Sequence, residues 1–215
     1  MPETVGYDEM VRMLRGGAEK VTRQHEHLSK LDAAVGDGDH GTAMRKAMSL
    51  LARAVAGHRA RDMSSVLSEV GWAVLGAGGG STGPLFGTFF MGMAEASGDK
   101  ASLDAPALAG VFENALASVR KQTKAQPGDK TMLDALMPAV ETMRASADAG
   151  KDPAAALADA ADAARKGAEA TTDMQARFGR ARNLGERSKG TPDPGATSVA
   201  LMFRGFADGL ASDEN

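Results

Sequence analysis

The chain has 215 residues, a formal net charge of -3, 43% hydrophobic and 25% charged residues, and no cysteine. That length holds one domain with a substantial core. The mild acidity and lack of a basic run argue against a nucleic-acid surface, no apolar stretch nears the ~18 residues of a membrane span, and disulfide, thiolate-zinc and thiol-nucleophile chemistry are excluded.

Met1 leads into acidic and polar residues rather than a leader, so a soluble cytoplasmic protein with a single domain over residues 1–215 is expected. Isoleucine is absent, alanine is abundant, methionines number 13 and aromatics make up only 4%. Helix formers therefore dominate, and the core must be aliphatic and methionine-rich. Apolar residues recur at helical spacing in eight stripes. Val11, Leu14, Ala18, Val21 and Leu28 form the first, and Met44, Ala47, Met48, Leu51 and Val55 the second. Val66, Val70, Ala73 and Val74 mark a third; Leu85, Phe86, Phe89, Phe90 and Met93 a fourth, opened by Pro84. The fifth, behind a capping Asp104, carries Leu108, Val111, Phe112, Ala115, Leu116 and Val119. The sixth runs from Met132 to Met143, with Pro138 expected to kink it. Asp152-Pro153 starts the seventh, an alanine-rich helix to about Phe178, and Val199, Met202, Phe203, Phe206 and Leu210 mark the eighth. Of the histidines, His25 falls on an apolar stripe and reads as a core residue, His58 as a surface turn, and His40 adjoins aspartates.

Four glycine- or proline-rich connections separate these stripes: VGDGDHG, GAGGGSTGP, QPGDKT and LGERSKGTPDPGA. In the first, Asp32, Asp37 and Asp39 place three carboxylates within eight residues. Such a group repels itself unless a cation neutralises it, and hard oxygen donors without cysteine favour Mg²⁺ or Ca²⁺. A calcium EF-hand fails, because the twelfth position counted from Asp37 is Met48. Magnesium with phosphate and a solvated Asp/Gly turn both remain open. The second connection formally matches a dinucleotide fingerprint at Gly78, Gly80 and Gly83, but without a βαβ setting, and Pro84 stands where a Walker A loop needs lysine. What it retains is a glycine turn with hydroxyls delivered onto a helix N-terminus, suited to phosphate or to close helix packing. Thr131 and Asp134 form a local N-cap pair. The arginines around Arg180 can clamp phosphate or make surface ion pairs.

In order and spacing, LDAAVGDGDHG, GGGSTGPLFGTFF, PGDKTMLDALMPAVE and MQARFGRARNLGERSKGTPDPGATSV resemble the L subunits of dihydroxyacetone kinases over nearly the whole chain. The resemblance implies an all-α barrel of eight antiparallel helices with a nucleotide site at one end, holding ADP or ATP with two Mg²⁺ ions. It implies Asp32, Asp37 and Asp39 as magnesium ligands, and contacts to the nucleotide from His40, Gly41, Thr42 and Ala43. Ser81 and Thr82 match its phosphate-contacting pair, and Thr123 stands where relatives often carry glycine. Met132 matches the residue packed on the base, Asp193, Pro194 and Gly195 the lid contacts, and Arg180 the catalytic arginine. The implied activity is phosphoryl transfer to a ketose held by a separate K subunit, so this chain alone is expected to bind Mg-nucleotide without phosphorylating sugar. Two mechanisms follow: exchange of ATP, or a resident ADP rephosphorylated by a phosphotransferase-system carrier. The match around GPLFGTFF and NLGERS and the lack of a fused K domain favour the second. A nucleotide-loaded regulatory module, docking on a transcriptional regulator, is the reading from another class.

Overall fold

Capping carboxylates begin four of the helices. Asp62, Asp104, Asp152 and Asp193 each accept a hydrogen bond from the N–H three residues on, at 2.7 to 2.9 Å, which satisfies one of the donors a helix start leaves open. The computed structural model describes residues 3–78 and 80–212. Among these lie nine α-helices: α1 (Tyr7–Arg23), α2 (His25–Val35), α3 (His40–Gly57), α4 (Met63–Leu75), α5 (Thr82–Ser97), α6 (Ala105–Gln122), α7 (Leu133–Asp148), α8 (Pro153–Ala170) and α9 (Pro194–Ala211). The described residues form no sheet, only an isolated antiparallel bridge between Val5 and Leu103.

Eight of these helices pack as a closed ring, in the order α1, α3, α4, α5, α6, α7, α8, α9 and back to α1, which is the expected all-α barrel. The ninth, α2, is the second half of the first predicted stripe. The stripe breaks at Gln24 (φ -103°, ψ 11°), and α2 turns away to lie against α3 and α9. No glycine or proline announces this break. It follows from tertiary packing, because Gly41 on the first turn of α3 presses against α2, where a Cβ would stand 1.9 Å from the His25 carbonyl. The seventh predicted helix also ends early, at Ala170 rather than near Phe178. A short 3₁₀ turn, Thr171–Asp173, follows, its Thr171 carbonyl accepting from Met174 N–H at 3.2 Å and from a lysine ammonium at 2.6 Å.

Backbone closes on backbone where α1 crosses α9. A Cβ on Gly205 would lie 2.4 Å from the Gly16 carbonyl, and one on Gly209 2.3 Å from that of Arg12. Inside the ring, Phe89, Phe112, Phe203 and Phe206 meet with centroid separations of 5.3 to 6.4 Å, surrounded by buried methionines and alanines. The hydrogen-bonded run of α7 is continuous past Pro138, whose missing N–H leaves the Asp134 carbonyl without its helical donor. Gly167 of α8 covers that carbonyl: a Cβ there would come within 2.2 Å of it. His58 is not a surface residue. Its side chain is 1% exposed, stacked near Tyr7 and flanked by Ser65 and Glu69. His25, expected in the core, is only half-buried, with Nδ1 2.9 Å from the Thr22 carbonyl.

Candidate nucleotide and metal site

All four glycine- or proline-rich connections arrive at one end of the barrel. There they enclose a cleft of about 300 Å³ whose lining includes Asp32, Asp39, His40, Ser81, Thr82, Thr123, Met132, Arg180 and the Asp193–Gly195 turn. Asp32 sits on the last turn of α2 and Asp39 caps α3. Gly38 between them takes φ +78°, a left-handed turn that other residues resist. With Asp37 they bring three carboxylates within 4.8 Å of one another. Asp32 accepts the His40 backbone N–H at 3.2 Å. The Arg180 guanidinium lies 2.9 Å from Asp37 and 3.7 Å from Asp39. Asp37 and Asp39 thus already gather around a cation, and the donor set is all oxygen. Such a group fits a hard divalent ion such as Mg²⁺.

The His40 side chain bridges two walls of the cleft. Its Nε2 is 2.8 Å from Ser198 Oγ, and its Nδ1 is 3.4 Å from Thr82 Oγ1. Ser198, fully buried, donates its hydroxyl proton to the Pro194 carbonyl at 2.9 Å. The hydroxyl can then only accept from His40, so the ring carries its proton on Nε2 and leaves Nδ1 as acceptor for Thr82. Burial pushes the His40 ring below the usual histidine range, against the opposing charges of Asp32 and Asp39, in keeping with a neutral imidazole.

The residues that follow His40 are placed differently from the rest of the predicted set. Gly41 and Ala43 are buried under α2 and the barrel wall, whereas Thr42 is exposed and lines a separate groove between α1 and α3. Their side chains do not enter the cleft. What they offer is the N-terminus of α3, where the first N–H groups have no intrahelical acceptor. Ser81 caps α5 beside Gly80 (φ +60°); its neighbour Gly79 lies outside the described residues. Thr123 ends α6, its hydroxyl accepting from Ala125 N–H at 3.1 Å. Opposite, Met132, Leu133 and Phe178 supply an apolar wall.

The PGDKT turn is tied down by Asp134, whose carboxylate accepts the Gly128 and Thr131 N–H groups at 2.5 and 2.7 Å. The expected Thr131–Asp134 pairing is present, with Thr131 Oγ1 accepting from Leu133 N–H at 3.3 Å. Two participants carried no role in the sequence reading. Lys130, 2% exposed with φ +61°, donates from its ammonium to the Thr171 and Thr191 carbonyls, both at 2.6 Å; burial lowers its pKa, opposed by Asp193 and Asp173. Ser198 is the other. A lysine set between Gly-Asp and Thr in a tight turn was the available signal for the first, and nothing local marked the second. Asp193, half-buried, both caps α9 and lies near Lys130 and Asp134; burial raises its carboxyl to about 7.

Residues 34–208 match the DAK2 domain family. The chain is 38% identical over 206 residues to the ADP-binding subunit DhaL of the PEP-dependent dihydroxyacetone kinase of Escherichia coli, covering 96% of this chain and 97% of that one. A D-erythrulose kinase of Mycolicibacterium smegmatis is 38% identical over 193 residues, 89% of this chain but 33% of its own length. Among solved structures, the dihydroxyacetone kinase of C. freundii in complex with AMP-PNP and Mg²⁺ superposes with a TM-score of 0.69 at 28% identity, covering 93% of this chain and 33% of that one. Its native form gives 0.72 at 26% identity. An all-helical ring, four converging loops and 38% identity with DhaL along nearly its whole length agree: this chain belongs to the DAK2 domain family, in the form of the L subunit of dihydroxyacetone kinases.

Proposed function

We propose that the chain is the nucleotide-binding subunit of a dihydroxyacetone-type kinase, holding ADP or ATP with two Mg²⁺ ions in the barrel-end cleft. In this reading the phosphoryl group passes to a ketose carried by a separate K subunit, with ADP resident and recharged by a phosphotransferase-system carrier. The observation that carries it is the meeting of Asp32, Asp37 and Asp39 with Arg180 at the mouth of a cleft walled by Met132 and Phe178. Further support comes from the relatives, since the E. coli protein is an ADP-binding subunit and the C. freundii kinase was solved with AMP-PNP and Mg²⁺.

Asp32, Asp37 and Asp39 would hold the metal. Bound there, magnesium would neutralise charge on the phosphate chain and polarise the transferring group. The N-termini of α3 and α5 aim unpaired N–H groups at the same end of the cleft, which orients phosphate oxygens without consuming side-chain charge. Ser81 and Thr82 add hydroxyl donors, with Thr82 steadied by the neutral His40 ring. Met132, Leu133 and Phe178 exclude water from one wall and suit the face of a base. Arg180 moves no proton; its role is to stabilise negative charge as it spreads over the transferring phosphoryl oxygens.

The test is native mass spectrometry of the purified chain for retained ADP and Mg²⁺, followed by transfer assays with K subunit and either ATP or a phosphorylated carrier. Retained ADP with carrier-dependent turnover is expected, and no turnover without K subunit. Absence of bound nucleotide together with no response to added Mg-ADP would sink the reading; binding a transcriptional regulator while failing to restore turnover would replace it with the regulatory one.

A further inference from the structure

We propose that Lys130 is a positioning residue that clasps shut the loop carrying Arg180; only its stated consequence for nucleotide binding rests on the function proposed above. The two carbonyls bound by its ammonium, those of Thr171 and Thr191, sit at either end of the segment 172–190. Thr171 follows the end of α8 and Thr191 precedes α9, so one side chain pins both sides of the neck from which the loop emerges. Gly190 N–H to the Thr172 carbonyl at 2.8 Å, and Asp193 N–H to Thr171 Oγ1 at 2.8 Å, complete the closure.

Beyond the neck the loop is compact and thinly attached. Ser188, fully buried, accepts from Ala176 N–H and donates to the Gly185 carbonyl, which folds the loop on itself. The neighbouring Asp129 carbonyl accepts from Arg177 N–H at 3.0 Å, so residues 129 and 130 hold the loop from its base at consecutive positions. Phe178 packs against the main core, while Arg177, Arg180, Arg182, Arg187 and Lys189 are exposed.

Simple packing does not account for a lysine here. Its backbone is left-handed, which is costly for any side chain with a Cβ, and a buried ammonium is costly unless its donors are matched. Two short bonds to carbonyls, with Asp193 and Asp173 nearby, supply the match. A methionine would fill the same space with the same backbone strain and no desolvated charge. What lysine adds is the bond across the neck, joining the apolar wall at Met132 to the arginine that faces the aspartates.

The test compares the parent chain with Lys130→Met and Lys130→Arg by limited trypsin digestion, thermal unfolding and Mg-ADP titration. In Lys130→Met, cleavage at Arg177, Arg180, Arg182, Arg187 and Lys189 is expected to quicken about tenfold, while cleavage elsewhere in the barrel keeps the parental rate. Affinity for Mg-ADP falls about tenfold, and Lys130→Arg, which keeps charged donors, recovers part of both. Parental loop cleavage in Lys130→Met overturns the clasp, as does a uniform rise at sites throughout the barrel, which would make Lys130 an element of global stability only. Should Lys130→Met not accumulate as folded protein, Lys130→Gln carries the same comparison. Amine labelling of the parent needs no variant: Lys130 labels no faster than the loop opens, and labelling at the rate of the exposed lysines would overturn the proposal. A parent chain that binds no Mg-ADP but shows the loop-selective effect refutes the nucleotide reading and leaves the clasp; normal binding with no loop effect does the reverse.

Discussion

Replacing Asp32 by asparagine is expected to change stability in opposite directions with and without magnesium. The three carboxylates lie within 4.8 Å of one another, a spacing at which like unit charges repel by about 0.9 kcal/mol in bulk water and about 3.5 kcal/mol at an effective dielectric of 20. Asp32 is half-buried and its two partners are exposed, so roughly 1 to 2 kcal/mol per pair is the fitting range. Arg180 answers Asp37 and Asp39, whereas Asp32 has no ion pair among the described residues. The Asp32→Asn substitution removes two repulsions and keeps an oxygen for the His40 N–H. Allowing about 1 kcal/mol for the weaker hydrogen bond, the metal-free variant gains about 1 to 3 kcal/mol, or roughly 2 to 12 °C in Tm for a chain of this size. With Mg-ADP at a hundredfold excess over Kd, the parent gains about 2.7 kcal/mol from binding, roughly 5 to 10 °C, and the variant loses most of that gain. Thermal unfolding in EDTA, in Mg²⁺ alone and in Mg-ADP reads all of this. If Asp32→Asn lowers Tm in EDTA and leaves the Mg-ADP shift intact, Asp32 is a tie to the start of α3 and the metal reading fails.

Three further outcomes are expected. Arg180→Gln lowers phosphoryl transfer, assayed with K subunit, by about a thousandfold while Mg-ADP affinity changes less than about tenfold; transfer within tenfold of the parent would remove Arg180 from the chemistry. Because the Asp193 carboxyl is raised from 3.8 to about 7, the folded chain holds a proton that the unfolded chain releases, and that contribution is present below 3.8 and lost as pH rises through 7. Asp193→Asn, which still accepts from Ala196 N–H, therefore gains on the parent up to about pH 7 and then levels; urea unfolding across this range checks it, and a pH-independent difference counts against it. Gly205→Ala meets the Gly16 carbonyl and costs about 1 to 3 kcal/mol in urea unfolding with Mg-ADP affinity unchanged; an undiminished midpoint would show that α1 and α9 can separate cheaply.

What was legible in the sequence tracks how far apart in the chain the interacting residues lie. Helix periodicity and caps are local, so Asp104, Asp152 and the eight ring helices follow from spacing alone, and the Asp32–Asp39 cluster is confined to one turn. The break at Gln24 was not legible, because it is imposed by Gly41 closing on His25 and Ser29 rather than by a residue that disfavours helix. His58 was misplaced for a related reason: a histidine beside arginines looks exposed until Tyr7 and Glu69 arrive from other elements. The site itself is mostly non-local. Arg180 reaches Asp37 across 143 positions, His40 reaches Ser198 across 158, and Lys130 spans 41 to Thr171 and 61 to Thr191. No spacing rule encodes such pairs; the residues alone offered Arg180 as one of several loop arginines able to clamp phosphate, family resemblance singled it out, and neither route carried Lys130 or Ser198.

These long-range pairs share a geometric origin. In an antiparallel ring every second connection returns to the same end, so residues far apart in sequence meet there at little added cost in loop closure. The arginine loop is the exception. It spans 172–190 between α8 and α9 and contributes only Ala176 and Phe178 to apolar burial, so its position over the aspartates needs a dedicated attachment. A buried ammonium on two carbonyls meets that need, and it leaves the charged residues beyond it exposed while Arg180 faces Asp37 and Asp39.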